Sequence, residues 1–268
     1  MIEYNAKRQS FIFYLRKCWE YRFLTLTFLR RDLKIKYAQT FIGLAWTLIQ
    51  PIALATVYFI FFQLVLPIKT EHPYILFVFS GVILWNVFST TLLQSSLAIQ
   101  QNQDLIGKMY FPKSILFISK AFGALLDGLI GWILLFLLNF YYTETVAIEQ
   151  LFSLFLFIPT SMFSLGLAFI VARIALLKRD ILLALPFFVQ LSIWFTPVFY
   201  PLSYLPEYWA KWIAIYPVNA SMDGVRAFFF KNEISWFSIG FGSTIGIVVL
   251  LIGMYLFSKA EEKMMDEL

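Results

Sequence analysis

The sequence predicts an all-α integral membrane protein: six transmembrane helices, an interfacial helix ahead of them, and short re-entrant helices between the fifth and sixth spans. Three observations predict it. The 268 residues are 60% hydrophobic and only 14% charged, against roughly 45–50% and about 25% in soluble domains. A basic block of Arg30, Arg31, Lys34 and Lys36 ends just before a run from Phe41 to Leu66 that holds no Asp, Glu, Lys, Arg or His. About 20 apolar residues cross ~30 Å of hydrocarbon as a helix. Finally, a six-span threading places 17 of the 21 Lys and Arg residues on one side. The four on the other side are Lys69, Lys211, Arg226 and Lys231. Lys and Arg mark the cytoplasmic side, so both termini are expected there.

The elements follow in order. Residues 1–38 form a cytoplasmic arm. Within 8–36, Ile12, Leu15, Trp19, Phe23, Leu26 and Leu33 recur at helical spacing, with Arg16, Glu20, Arg30 and Lys34 off that face. So charged a helix cannot span, but it can lie in the headgroup layer, as an orientation anchor or as a gating element. It also lacks the apolar core of a cleavable signal peptide. The first span is 41–66 and the second 74–99. The second carries Asn86, Thr90 and Gln94 along one face, a stripe that must meet protein or water rather than lipid. Residues 100–113, QQNQDLIGKMYFPK, return the chain to the cytoplasm, and their apolar studs suit docking onto a soluble partner better than a plain turn.

The third span is 114–142, with Lys120 near its inner end and Asp127 deep inside. The fourth is 151–177, where Pro159 is expected to kink the helix. The fifth, 181–199, contains Pro186. Residues 200–233 are rich in aromatics and broken by Pro201, Pro206 and Pro217 into pieces too short to span. They read as half-helices dipping into the outer face, where protein or a water-filled cavity must cover them. The last span is 234–257. The whole chain is one transmembrane domain.

Chemistry is scarce. No G-x-x-x-x-G-K-[ST] phosphate loop is present, His72 is the one histidine and Cys18 the one cysteine. His-based acid–base catalysis, multi-His metal sites and a disulfide framework are therefore excluded, and no cofactor is expected on this chain. The net charge of +5 follows membrane sidedness and does not indicate nucleic acid. Asp127, an intramembrane carboxylate, is a site candidate by default. It is either helix–helix glue with Lys120 or Arg173, or part of a substrate path. Trp46, Tyr58, Trp194, Tyr200 and the aromatics of 204–216 could line a sugar path or form an interfacial belt.

Several stretches, taken in order, resemble a known family: RRDLKIKYAQTFIGLAWTLIQP at 30–51, GVILWNVFSTTLLQSS at 81–96, LIGKMYFPKSIL at 105–116, Asp127 in LLDGLI, KRDILLALPFFVQLSIWFTPVFYP at 178–201, and YPVNASMDGVRAFF at 216–229. The chain is similar to the membrane subunits of ABC type-2 exporters of bacterial polysaccharides, which carry O-antigen, capsule or teichoic acid. The resemblance implies a non-enzymatic permease, a homodimer paired with two copies of a cytoplasmic ATPase that holds the ATP and Mg. It implies a substrate linked to undecaprenyl diphosphate. Leu105, Ile106, Tyr110, Phe111 and Pro112 would then couple to the ATPase, and Arg30, Arg31, Lys34 and Lys36 would form the substrate entrance. The translocation path would hold Trp46, Tyr58, Asn86, Asp127, Trp194, Tyr200 and Arg226. One departure is the run Ile174–Lys178 before Arg179 and Asp180, where many relatives are more polar. Teichoic acid, lipid and drug export are the alternatives within the class, and a glycolipid-modifying enzyme the alternative outside it.

Overall fold

The computed structural model describes residues 11–38, 43–65, 67–68, 70, 72–144 and 147–266. The ends of the expected first span, and Lys69 and Glu71 of the loop after it, lie outside the described residues. All regular structure among the described residues is helical.

The arm is two helices, α1 (Phe11–Glu20) and α2 (Arg22–Tyr37), broken at Tyr21. Its expected apolar face turns away from the protein at Ile12, Trp19, Phe23 and Leu26, which are exposed, as a lipid-facing side requires. Leu15, expected on that same face, packs instead on the core with Phe11, Tyr14, Cys18, Leu24 and Phe28. Burial beside Glu261 pushes the Cys18 thiol up to about 12.

The first span is α3 (Trp46–Phe59), with Pro51 inside it, continued by a π-helical turn at Ile60–Val65. The second, α4 (Tyr74–Ser96), is the most buried of the spans and packs against α3, α7 and α8. The 100–113 segment opens with two single-turn helices, α5 (Ala98–Gln101) and α6 (Gln103–Ile106), and feeds α7 (Ser114–Thr143). The fourth span begins earlier than expected, as a 3-10 stretch at Ile148–Leu156 running into α8 (Phe157–Leu177). Pro159 is the third residue of α8, just past the junction where the 3-10 stretch becomes α-helix.

The fifth span is shorter than the 181–199 expected. Helix α9 (Asp180–Ser192) and its 3-10 end stop at Phe195, about 24 Å of rise, and Thr196–Tyr200 leaves helical geometry. Two short helices follow, α10 (Glu207–Ala214) and α11 (Pro217–Phe230), then the long α12 (Trp236–Asp266). α10 is largely exposed, whereas α11 is buried against α4, α8 and α12. Among the described residues, five helices are long and apolar enough to cross a membrane, and Asp180–Phe195 is a shorter apolar helix.

The first and last described helices meet. The Phe11 and Tyr255 rings contact edge-to-face with centroids 5.5 Å apart. The Tyr14 hydroxyl is 2.6 Å from Ser114 Oγ and donates to Glu261 Oε2 at 2.6 Å. The Lys113 amide donates to Glu261 Oε1 at 2.9 Å. This buried node ties α1, the start of α7 and the end of α12 together, so the arm, the 100–113 segment and the last helix share one end of the bundle.

Candidate functional site

A cleft of about 580 Å³ opens between α2, α4 and α7. α2 is positioned by Phe28, buried against Phe111 with ring centroids 5.5 Å apart, and by its contact with α7. Two ion pairs cross from α2 to α7. Asp32 receives Lys120 Nζ at 3.0 Å, and Lys36 Nζ donates to Asp127 Oδ2 at 2.6 Å. The Tyr37 hydroxyl donates to Asp127 Oδ1 at 3.2 Å. Arg31 reaches the 100–113 segment by donating from Nη2 to Asn102 Oδ1 at 2.7 Å, while Nε and Nη2 also donate to Asp32 Oδ1. Thr90 and Gln94 line the α4 wall, so two members of the expected polar stripe meet a water-accessible cavity, as desolvation of amides and hydroxyls demands.

Asp127 thus pairs with Lys36 and Tyr37 rather than with the expected Lys120 or Arg173. It stands 16 residues before the end of α7, roughly 24 Å below that end. It also stands 13 residues after the start of that helix, close to its middle, where Lys36 of the arm reaches it. The four entrance candidates divide. Arg31 and Lys36 line the cleft, while Arg30 and Lys34 are exposed and do not.

The coupling candidates divide as well. Met109 and Tyr110 are about half exposed, at 49% and 51%, whereas Phe111 is 1% exposed. Pro112 is buried, and Leu105 and Ile106 are half-buried against the core. The exposed tip is therefore Gly107–Tyr110, with Phe111 as its anchor and Lys17 of the arm against Tyr110. Beside it a groove of about 470 Å³ runs between Gln103, Ile106 and Gly107 and the inner ends of α8 and α9 at Ala172, Ala175 and Arg179. Alanine at Phe111 is expected to cost roughly 3–5 kcal/mol of stability through the cavity it leaves. Alanine at Tyr110 is expected to stay within about 0.5 kcal/mol of the parent. Thermal unfolding of the purified proteins checks both.

The path candidates do not form one surface. Tyr58, Trp194 and Tyr200 gather at the other end of the bundle around Phe199, whose ring centroid is 4.8, 4.9 and 5.3 Å from theirs. Phe62 stacks on Phe199 at 4.9 Å. Trp46 lies apart from that cluster, half-exposed at the start of α3. Asn86 is half-buried on α4. Arg226 is enclosed, at 5% exposure. Its Nη2 donates to the carbonyls of Phe77, Pro197 and Val198 at 3.3, 3.0 and 2.9 Å, and its Nη1 to Asp223 Oδ1 at 3.3 Å. The guanidinium lies 3.6 Å from the centre of the Phe77 ring. Arg226 thus braces the Thr196–Tyr200 turn from an enclosed position.

Sequence reasoning missed Asp32, Asn102 and Phe199. Asp32 carried a signal: it is the one acid inside the basic block, four residues before Lys36, a helical spacing that puts both on one face. Phe199 carried none among 31 phenylalanines.

The family model of the ABC-2 type transporter matches residues 24–230. An O-antigen export system permease protein RfbA of Klebsiella pneumoniae is 26% identical over 243 residues, covering 88% of this chain and 91% of its own length. The protein of the same name from Myxococcus xanthus is 28% identical over 224 residues, covering 82% and 85%. The matched span begins inside α2 and ends at the last residue of α11, so it takes in the cleft, the exposed tip and the Arg226 brace.

Proposed function

The chain belongs to the ABC-2 type transporter family, and from that premise we propose that it is the permease of an exporter that carries an O-antigen-type polysaccharide out across a bacterial inner membrane. The substrate travels on a lipid diphosphate such as undecaprenyl diphosphate and feeds lipopolysaccharide biosynthesis. The chain is a multi-pass transport component rather than an enzyme, and the family implies an ATPase partner. In the proposed assembly two copies of the permease meet two copies of a cytoplasmic ATPase, with the basic end of the bundle and both chain termini in the cytoplasm.

The observation that carries this reading is the cleft. It is charged, it lies at the basic end, and α2 connects it to the exposed Gly107–Tyr110 tip through Phe28–Phe111 and Arg31–Asn102. A push from an ATPase docked on the tip would move α2 and therefore the cleft. Arg31 and Lys36 would receive the diphosphate while the glycan follows toward the aromatic end. Alanine at both Met109 and Tyr110 is expected to weaken ATPase binding about tenfold or more, as loss of exposed apolar anchors does at interfaces, without lowering the unfolding temperature.

Deletion of the gene tests the function itself. Finished glycan lipid accumulating on the cytoplasmic face, with none at the surface, is the expected result. Unchanged surface glycan with no accumulated polymer would overturn the polysaccharide assignment.

A further inference from the structure

We infer that the cleft between α2, α4 and α7 is a phosphate-ester site held closed by the protein's own carboxylates: Asp127 and Asp32 occupy Lys36 and Lys120 until an anionic headgroup displaces them. This rests on the reading of the substrate as a lipid diphosphate and adds to it a competitor, a second cation and a resting state.

Three cations, Arg31, Lys36 and Lys120, line one cavity with two carboxylates, Asp32 and Asp127. The cavity keeps a surplus of one positive charge while each lysine carries a carboxylate 2.6 or 3.0 Å away. Between the two rungs, at Lys120 and Asp127 on α7, stand Gly123 and Ala124, which leave the wall smooth. A Cβ on Gly123 would touch only Leu29 Cδ1, at 3.7 Å. Thr90, Gln94 and Asn102 supply polar groups around the same space. The outer rung is solvent-accessible, its Lys36 and Asp127 side chains being 46% and 22% exposed. A pair reached by water is weak, and a phosphate of higher charge can replace one of its members. Tyr37 is placed to hold the displaced carboxylate, since its hydroxyl already donates to Asp127 Oδ1. The inner rung, Lys120 and Asp32 at 15% and 18% exposure, is more enclosed, so Lys36 exchanges first. Arg31, held by Asp32 and Asn102, is the fixed cation.

The test is calorimetric titration of the purified full-length chain in detergent with farnesyl diphosphate and, separately, inorganic pyrophosphate. Asp127→Asn is expected to bind farnesyl diphosphate about threefold to tenfold more tightly, since the internal competitor is gone. Adding Lys36→Gln to it is expected to abolish the gain. Asp32→Asn acts in the same direction through Lys120. Unchanged or weaker binding by both single variants, at parental unfolding temperature, overturns the inference. If Asp127→Asn does not fold, Asp32→Asn decides, and failure of both to fold assigns the carboxylates to holding the fold and overturns it too. Farnesyl diphosphate bound more tightly than pyrophosphate by the variants identifies a lipid headgroup, and equal affinity for the two identifies a free phosphate anion. These binding outcomes are independent of the gene deletion, so either reading can fail while the other stands.

Discussion

Arg226→Met is expected to lower the unfolding temperature of the purified protein by on the order of 10 °C. Removing one partner of a buried charge pair costs about 3–5 kcal/mol, and a chain of this size shifts by roughly 2–4 °C per kcal/mol. Methionine fills much of the space but donates nothing. The carbonyls of Phe77, Pro197 and Val198 lose a donor together, and Asp223 loses its cation. Arg226→Lys retains the charge on a single nitrogen, which cannot reach all four acceptors, and should fall between. Gly81 probes the same junction from the α4 side. A Cβ there would stand 2.8 Å from the Val198 carbonyl oxygen and 2.9 Å from Arg226 Nη2, so Gly81→Ala should destabilise despite adding one methyl. Thermal unfolding followed by tryptophan fluorescence checks all three. An Arg226→Met protein that unfolds with the parent but has lost export would instead place Arg226 in the path.

Gly166→Leu is expected to prevent α8 and α12 from docking, giving protein that aggregates on size exclusion. A Cβ on Gly166 would lie 2.5 Å from the Leu250 amide nitrogen and 2.6 Å from the Val249 carbonyl carbon. These are backbone atoms of a continuous helix and cannot swing aside as a side chain can. The Gly166 carbonyl in turn occupies the place of a Cβ on Gly253, so the two helices meet through reciprocal glycines, as small residues allow in membranes. The cost should reach at least the upper end of core overpacking, ~3 kcal/mol. Gly240→Ala on the same α12 is the control, with nothing within 4 Å of its Cβ. It should be neutral or gain roughly 0.5–1 kcal/mol from the better helix former. A monodisperse Gly166→Leu protein would refute the close packing of α8 on α12.

Part of this was legible in the residues alone. The runs without charge became long helices, because a chain without water must satisfy each N–H and C=O within its own segment. The prolines of 200–233 predicted short helices there, and α10 and α11 begin directly after Pro206 and at Pro217. The basic tally predicted a shared end for the arm and the last helix, and the Tyr14–Glu261 contact joins them.

Other features were not legible. Phe111 and Tyr110 are neighbours with the same apolar character, yet one is core and the other surface. Asp127 had two basic candidates on the spans and took a third from the arm. Arg226 looked like a path residue and is enclosed by three carbonyls and a ring.

By itself, the sequence determined the all-α membrane class, where charge-free runs lie along the chain and the end at which charge collects. Those quantities are one-dimensional: run length against hydrocarbon thickness, and the energy of each charged residue in lipid. Tertiary structure alone decided which acid meets which base, which aromatic is anchor or surface, and where two helices touch through glycine. Each depends on how a helix is rotated and crossed against several neighbours at once, and no local spacing records that.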